Sequence, residues 1–254
     1  MNNKFIDLHS HTLWGIDDGA RNLDETVSMC DLAADSGTRT LFLTPHLIYW
    51  DRAEDLFDER NEKAEYLSKI LWENDIELDL KTGFEILCDD DIFNIKYFNP
   101  FTLCGSKYLL VEFDFFNPTP EEVLIWCSYI QSFGLVPIIA HPERYRFMLL
   151  NNGLIDKLSQ KGVLFQINAG SPAGAFGDAV ASFSRKMIKG GFVDFIGSDA
   201  HSRYARNTDM SACFDYYPDD SDLEELLDIT YSNSLKVIEN KDIKIRRLSY
   251  FLEM

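Results

Sequence analysis

Phe5-Ile6-Asp7-Leu8-His9-Ser10-His11 is a short apolar run that ends on two imidazoles at alternate positions. The apolar part has the length of a buried β-strand, and alternate residues of a strand share a face, so His9 and His11 would leave its end on one side. The same form returns along the chain. Apolar, β-rich runs lie at Phe5 to Leu8, Thr40 to Leu43, Ile76 to Leu80, Tyr108 to Val111, Val136 to Ala140, Val163 to Ile167 and Val193 to Ile196, seven in all. Helical stretches separate most of them. Val27, Cys30 and Ala34 stand at i, i+3 and i+7 before Gly37. In Thr119-Pro120-Glu121-Glu122 a capping residue, a first-turn proline and a capping-box glutamate precede a helix that Gly134 would stop. The charged segment Asp51 to Asn74, and a last one with Leu223, Leu227 and Tyr231 on one face, add two more. Asp89 to Cys104 fits no single period.

Near-continuous apolar strands alternating with helices predict an α/β fold whose parallel sheet is covered on both faces, because the crossovers lay helices over it. Seven such units point to a barrel, with an open doubly wound sheet as the alternative. The 254 residues suit one large domain or two small ones. With no linker, repeat or low-complexity tract to divide them, a single domain over 1–254 is expected. With 24 Lys plus Arg against 42 Asp plus Glu, the net charge of −18 repels phosphodiester backbones and anionic headgroups. No apolar stretch reaches the roughly 20 residues a membrane span needs, and the first residues lack a signal-peptide core. A cytoplasmic protein without nucleic-acid partner or membrane insertion is expected. Cys30, Cys88, Cys104, Cys127 and Cys213 form no C-x-x-C pair and read as reduced, mostly buried thiols.

In parallel α/β folds the chemistry gathers at the carboxyl ends of the strands. Here the first run leads into His9 and His11, the second into Pro45-His46, the third into Glu85, the fourth into Glu112, the fifth into His141, and the seventh into Asp199-Ala200-His201. The sixth offers Gln166 and Asn168. Any one of these, alone, reads as a capping or hydrogen-bonding group. Together they place imidazoles and carboxylates on one rim, a donor set for several divalent cations that a shared carboxylate can hold close together. In Gly15-Ile16-Asp17-Asp18-Gly19 the aspartates can cap the helix that starts near Leu23 or reach a cation, and turn chemistry favours capping. The small-residue loop Asn168 to Gly174 can admit a phosphate beside its backbone N–H groups. Arg144 and Arg206, with Arg203 as a less favoured substitute, stand close behind His141 and His201, where guanidinium forks suit phosphate oxygens.

These motifs, with Leu43-Thr44-Pro45-His46, Leu110-Val111-Glu112-Phe113, Ala140-His141-Pro142-Glu143-Arg144-Tyr145 and Gly197-Ser198-Asp199-Ala200-His201, resemble the PHP (polymerase and histidinol phosphatase) superfamily over about residues 4 to 206. More narrowly they resemble its bacterial protein-tyrosine phosphatases of capsule and exopolysaccharide systems. That resemblance implies a distorted (β/α)7 TIM-like barrel around a trinuclear metal centre. His9, His11, Glu85 and Asp199 would hold one ion; Glu85, Glu112 and His141 a second; and Asp18, His46 and His201 a third, with Glu85 bridging. Manganese is the first choice, and iron or zinc suit the same ligands. Arg144 and Arg206 would bind phosphate, and Arg144 would assist the leaving group. Hydrolysis of phosphotyrosine by a metal-activated hydroxide follows, on a protein such as a tyrosine autokinase of polysaccharide export.

Leu47-Ile48-Tyr49-Trp50 after His46 and Phe84 before Glu85 depart from the commoner pattern, and Tyr49 and Trp50 would wall the site for a phenolic ring. A cysteine phosphatase is excluded, because the residues six positions beyond the cysteines are Ser36, Asn94, Leu110, Phe133 and Asp219, not arginine. Histidinol phosphate or another small phosphomonoester is the alternative substrate. A PHP-type nuclease and a non-catalytic phosphotyrosine-binding module are the remaining rivals. Oligomeric state is left open, and the Lys244-Ile245-Arg246-Arg247 cluster is read as a solvated turn or helix edge.

Overall fold

Every strand pair runs parallel. The computed structural model describes residues 5–115, 118–211, 221–245, 247, 250 and 251. Among the described residues nine strands replace the seven runs: β1 (Phe5–Asp7), β2 (Thr38–Leu43), β3 (His46–Leu47), β4 (Asp79–Thr82), β5 (Glu85–Leu87), β6 (Tyr108–Glu112), β7 (Val136–Ala140), β8 (Leu164–Asn168) and β9 (Phe195–Gly197). They form two sheets, ordered β1-β2-β4 and β3-β5-β6-β7-β8-β9. The extra strands arise from two breaks. After β2, Pro45 has no N–H for a ladder, and the chain turns before β3. Gly83 and Phe84 interrupt the next path between β4 and β5. Hydrogen bonds cross both breaks, from Gly83 N–H to the Leu43 carbonyl (3.0 Å) and from Glu85 N–H to the Pro45 carbonyl (3.1 Å). On the opposite side β9 meets the extension of β1. His11 N–H donates to the Ala200 carbonyl (2.9 Å) and Asp199 N–H to the His9 carbonyl (2.8 Å).

The third apolar run was expected at Ile76 to Leu80, but the strand begins at Asp79. Ile76 and Leu78 precede the strand and, with Leu80 inside it, pack as partly buried residues against the cluster that holds Leu67 and Leu71 of the preceding helix. In β6 and β8 every residue is buried. Their alternation divides the core: Tyr108 and Leu110 join Ile6, Phe42, Ile138 and Phe195 in one cluster, whereas Leu109 and Val111 face Trp126, Cys127 and Ile130 of a covering helix.

The helices are α1 (Leu23–Asp35), α2 (Ala53–Glu73), α3 (Pro120–Gln131), α4 (Arg146–Leu150), α5 (Asn152–Gln160), α6 (Asp178–Lys189) and α7 (Ser221–Ile238). Thr119 and Glu122 form the expected capping box at α3. The cap of α1 is Asn22, whose side chain accepts from Glu25 N–H, so Asp17 and Asp18 are free of the capping task expected of them. Asp89 to Cys104 resolves into a chain of 3-10 turns, at Asp90–Asn94, Asn99–Phe101 and Leu103–Gly105. Cys30, Cys88 and Cys127 are buried free thiols and Cys104 is half-buried, while Cys213 lies outside the described residues. Arg247 corrects the reading of the final basic cluster: its guanidinium makes a two-pronged ion pair with buried Asp194 (2.9 Å each) and donates to Ser159 Oγ (2.7 Å). Arg246 lies outside the described residues.

Candidate metal centre

His9 and His11 leave the end of β1 with Ser10 pinned between them, its hydroxyl on the Phe42 carbonyl (2.7 Å) and its N–H on Thr44 Oγ1 (3.0 Å). Both rings face the same interior, as the alternation requires, and both are fully buried. Each has one nitrogen committed outward. The Gln166 amide nitrogen donates to the Ile167 carbonyl and to Asn168 Oδ1, so Gln166 Oε1 is the atom facing His9 Nδ1 at 2.8 Å. His9 therefore donates there. His11 Nδ1 meets Asp17 Oδ2 at 2.7 Å, and His201 Nδ1 meets the Asp199 carbonyl at 3.0 Å. All three acceptors call for a proton on Nδ1, which leaves the Nε2 lone pairs directed away from them.

Those lone pairs converge. His9 Nε2 and His11 Nε2 lie 3.1 Å apart, and each is 3.1 Å from Glu85 Oε2. His46 Nδ1 lies 3.1 Å from the same oxygen and 2.8 Å from Glu112 Oε1, while Glu85 Oε1 lies 2.9 Å from His141 Nε2. Glu85 Oε2 is buried without a hydrogen-bond partner. Lone pairs this close repel unless positive charge lies between them, and buried orphan acceptors are costly. The residues fit divalent cations.

Ligand atoms close enough to share an ion occur in four groups: His9, His11 and Glu85; His9, His141 and Asp199; His46, Glu85 and Glu112; and His11, Asp18, His46 and His201. All nine residues expected as ligands thus meet in one cluster. Their grouping differs from the expected partition, since Glu112 approaches Glu85 beside His46, and His141 stands with His9 and Asp199. Four imidazoles, those of His9, His11, His46 and His141, approach the Glu85 carboxylate.

Electrostatics sharpen the picture. Burial alone would raise the Glu85 carboxyl, but the imidazoles of His9, His46, His11 and His141 facing it hold it well below the usual carboxylate range. Burial would also depress the imidazoles, yet Glu85 and Asp199 raise His9, and Asp17 and Glu85 raise His11 well above the ordinary value. The hydrogen bond with His201 leads in pulling exposed Asp18 down to about 2. The cluster thus has a strong affinity for positive charge.

Both arginines converge on Asp199: Arg144 Nη1 donates to Oδ2 (2.7 Å) and Arg206 Nη2 lies 2.5 Å from Oδ1. His141, Asp199 and Arg206 all have left-handed backbone, with φ of 34°, 52° and 50°. Such strain, common at functional sites, turns these side chains inward where regular strand would turn them away. Trp50 has Phe98 and Phe101 as its ring partners and Tyr49 is exposed, and among the described residues neither ring stacks on an imidazole of the cluster. Phe84 is buried beneath the Arg60 guanidinium, 4.4 Å from its ring centroid, and anchors the strand that presents Glu85.

Sequence reasoning missed the supporting shell. Asp17 and Gln166 orient imidazoles, and Asn168 donates to Asp199 Oδ2 (2.7 Å). Glu143 accepts from Asn168 N–H (2.9 Å) and the Ser171 hydroxyl (2.6 Å). Much of the Asn168 to Gly174 backbone is engaged internally: Ser171 N–H donates to the Asn168 carbonyl and Gly174 N–H to that of Ser171, which weakens its reading as a phosphate cradle. Only strand-end position hinted at Gln166 and Asn168; Glu143 stood in the His141 to Tyr145 motif without a role.

The family model described as capsular polysaccharide synthesis, CpsB/CapC, matches residues 5–239. The tyrosine-protein phosphatase YwqE of Bacillus subtilis is 34% identical over 207 residues, covering 80% of this chain and 79% of its own. The tyrosine-protein phosphatase CpsB of Streptococcus pneumoniae is 26% identical over 243 residues, covering 92% and 98%. A crystal structure from work on YwqE and CpsB, described as unique metal-dependent tyrosine phosphatases, superposes with a TM-score of 0.82 at 31% identity, over 96% of this chain and 97% of that one.

Proposed function

The chain belongs to the CpsB/CapC family of capsular polysaccharide synthesis proteins, and on that footing we propose that it is a metal-dependent protein-tyrosine phosphatase. The observation that carries this reading is the 3.1 Å approach of His9 Nε2 to His11 Nε2 beside the orphan Glu85 Oε2. In our reading the nine strands are the staves of one distorted (β/α)7 barrel domain over 1–254, with the second and third staves broken at Pro45 and Gly83. His9, His11, Glu85, Asp199, His141, Glu112, His46, Asp18 and His201 hold three divalent ions, manganese foremost, with iron or zinc as substitutes. When bound, such ions acidify water and neutralise phosphoryl oxygens.

The chain's own groups do the rest. Asp17 and Gln166 fix the tautomers of His11 and His9 so that both keep Nε2 as ligand. Arg144 and Arg206 receive phosphoryl oxygens, and Arg144 stabilises the departing phenolate oxygen. The oxygen of water forms the new bond to phosphorus, the bond to the phenolic oxygen breaks, and the phenolate takes up a proton. No covalent enzyme intermediate is required. Burial pushes the Cys127 thiol up to about 12 and raises Cys30 and Cys88 as well, which disfavours a thiolate nucleophile. The substrate is a phosphotyrosyl protein of capsule or exopolysaccharide synthesis, a tyrosine autokinase in the cytoplasm. No helix among the described residues is long and apolar enough to cross a membrane.

Turnover of a phosphotyrosyl peptide beside histidinol phosphate, with manganese present, tests the assignment. Preference for the peptide supports it. Preference for histidinol phosphate, or phosphotyrosine binding without phosphate release, overturns it.

A further inference from the structure

The Arg144 guanidinium packs against two aromatic rings. Its guanidinium carbon is 5.0 Å from the centroid of Phe115 and 4.6 Å from that of Phe176. Phe115 in turn stacks on His141, 5.8 Å between centroids and 15° between planes. The result is a column of imidazole, phenyl, guanidinium and phenyl beside the metal cluster. Its inner ring, Phe115, is also held by Tyr145 at 5.2 Å. Its outer ring, Phe176, is half-buried and belongs to the loop between β8 and α6.

That loop is registered to the arginine by the residue next to it. Buried Glu143 turns away from Arg144 and accepts from Asn168 N–H and Ser171 Oγ at the loop's base, so one short turn both supplies the guanidinium and anchors the segment that covers it. Gly174 and Gly177, with φ of 95° and 92°, bracket Phe176 in backbone that L side chains rarely adopt. The anchored base of the loop and the two glycines set the backbone that carries Phe176 beside Arg144.

We propose that Phe176 is the residue that selects aryl over alkyl phosphate esters, by receiving the ester's ring on the edge of the column. This rests on the phosphatase reading above. A guanidinium offers its N–H groups only in its own plane, so a phosphoryl group approaches along that plane, beside the two rings packed against it. The ester substituent then emerges between the rims of Phe115 and Phe176, and since Phe115 is held between His141 and Arg144, the outer ring makes the contact. An aryl ring gains edge-to-face or offset-stacked contact there, which an alkyl chain lacks.

The test uses full-length, manganese-loaded protein and two unreactive probes, phenylphosphonate and methylphosphonate, with affinities measured by calorimetry. Phe176→Ala is expected to weaken phenylphosphonate about three- to tenfold and to raise KM for a phosphotyrosyl peptide by a similar factor. Methylphosphonate should change less than twofold, and metal content should stay at the wild-type value. Phe176→Leu, which keeps bulk without a π face, should recover only part of the loss. Equal weakening of both probes would reduce Phe176 to a support for Arg144 and overturn the proposal, as would no weakening or failure of the wild type to favour phenylphosphonate. If the wild type favours phenylphosphonate yet releases no phosphate from the peptide, the phosphatase reading fails while the aryl wall stands.

Discussion

At His11 the two ring nitrogens have separate tasks. Nδ1 donates to Asp17, and Nε2 turns toward Glu85. Asp17→Asn offers a neutral acceptor in place of the carboxylate and should weaken metal affinity roughly 10- to 100-fold, read by titrating the chelated protein with manganese. Unchanged affinity would remove Asp17 from the site. Asp7 lies one layer deeper. Burial, only partly offset by hydrogen bonds from Ser198 and His9, raises its pKa from 3.8 to about 6. The folded chain therefore binds this proton more tightly than the unfolded one. Stability conferred below about pH 4 is lost as pH climbs to about 6 and stays lost above, a difference of about 3 kcal/mol. Asp7→Asn keeps the acceptor for His9 and Ser198 N–H and should flatten that slope in urea unfolding of chelated protein from pH 4 to 8; an identical slope would contradict the assignment. Eight of the nine residues of the cluster were legible because each comes after an apolar run; Asp18, in the Gly15 to Gly19 turn, entered only through the family resemblance. Asp17 was not legible, because whether it caps α1 or reaches His11 depends on how the turn folds over the end of β1.

At the scale of elements, local signals survived where the element is self-contained. The Thr119 to Glu122 box needs only its own turn, and α3 starts where it says. Ile76 to Leu80 has strand-like alternation, but Ile76 and Leu78 are used in packing ahead of the ladder and only Leu80 of the three pairs within it, so β4 starts later. The splitting of the second and third strands was equally hidden: a proline or glycine marks a possible break, and only the neighbouring strands decide whether pairing resumes beyond it. Close approach between elements makes its own prediction. A Cβ at Gly197 of β9 would lie 2.8 Å from His9 Cβ and 3.0 Å from Gln166 Nε2. Gly197→Ala should push β9 from β1 and disturb the histidine and its orienting amide together. We expect about 1–3 kcal/mol of destabilisation and a weaker manganese isotherm. Wild-type values for both in denaturation and titration would show that the strands yield freely.

For the molecule as a whole, the sequence pattern supplied the α/β class and the rim that collects the polar ends, while long-range closure needed coordinates. Arg247 illustrates why. As one of four residues in Lys244 to Arg247 it reads as solvated charge, yet it crosses to Asp194, a carboxyl that burial raises and the guanidinium draws back down. Arg247→Met should cost about 3–5 kcal/mol in urea unfolding, because it leaves a buried carboxylate unpaired. A loss below about 1 kcal/mol would return the segment to the surface role. The net charge of −18 adds a field that favours cations over polyanions. The same preference is concentrated at Glu85, where imidazoles from separate strands meet one carboxylate. Calorimetric titration of chelated protein with manganese reads that convergence directly: the wild type should bind more than one ion per chain saturably, and Glu85→Gln, still folded, should lose that binding. Absence of saturable binding in the wild type, or an unchanged isotherm in Glu85→Gln, would contradict the metal centre.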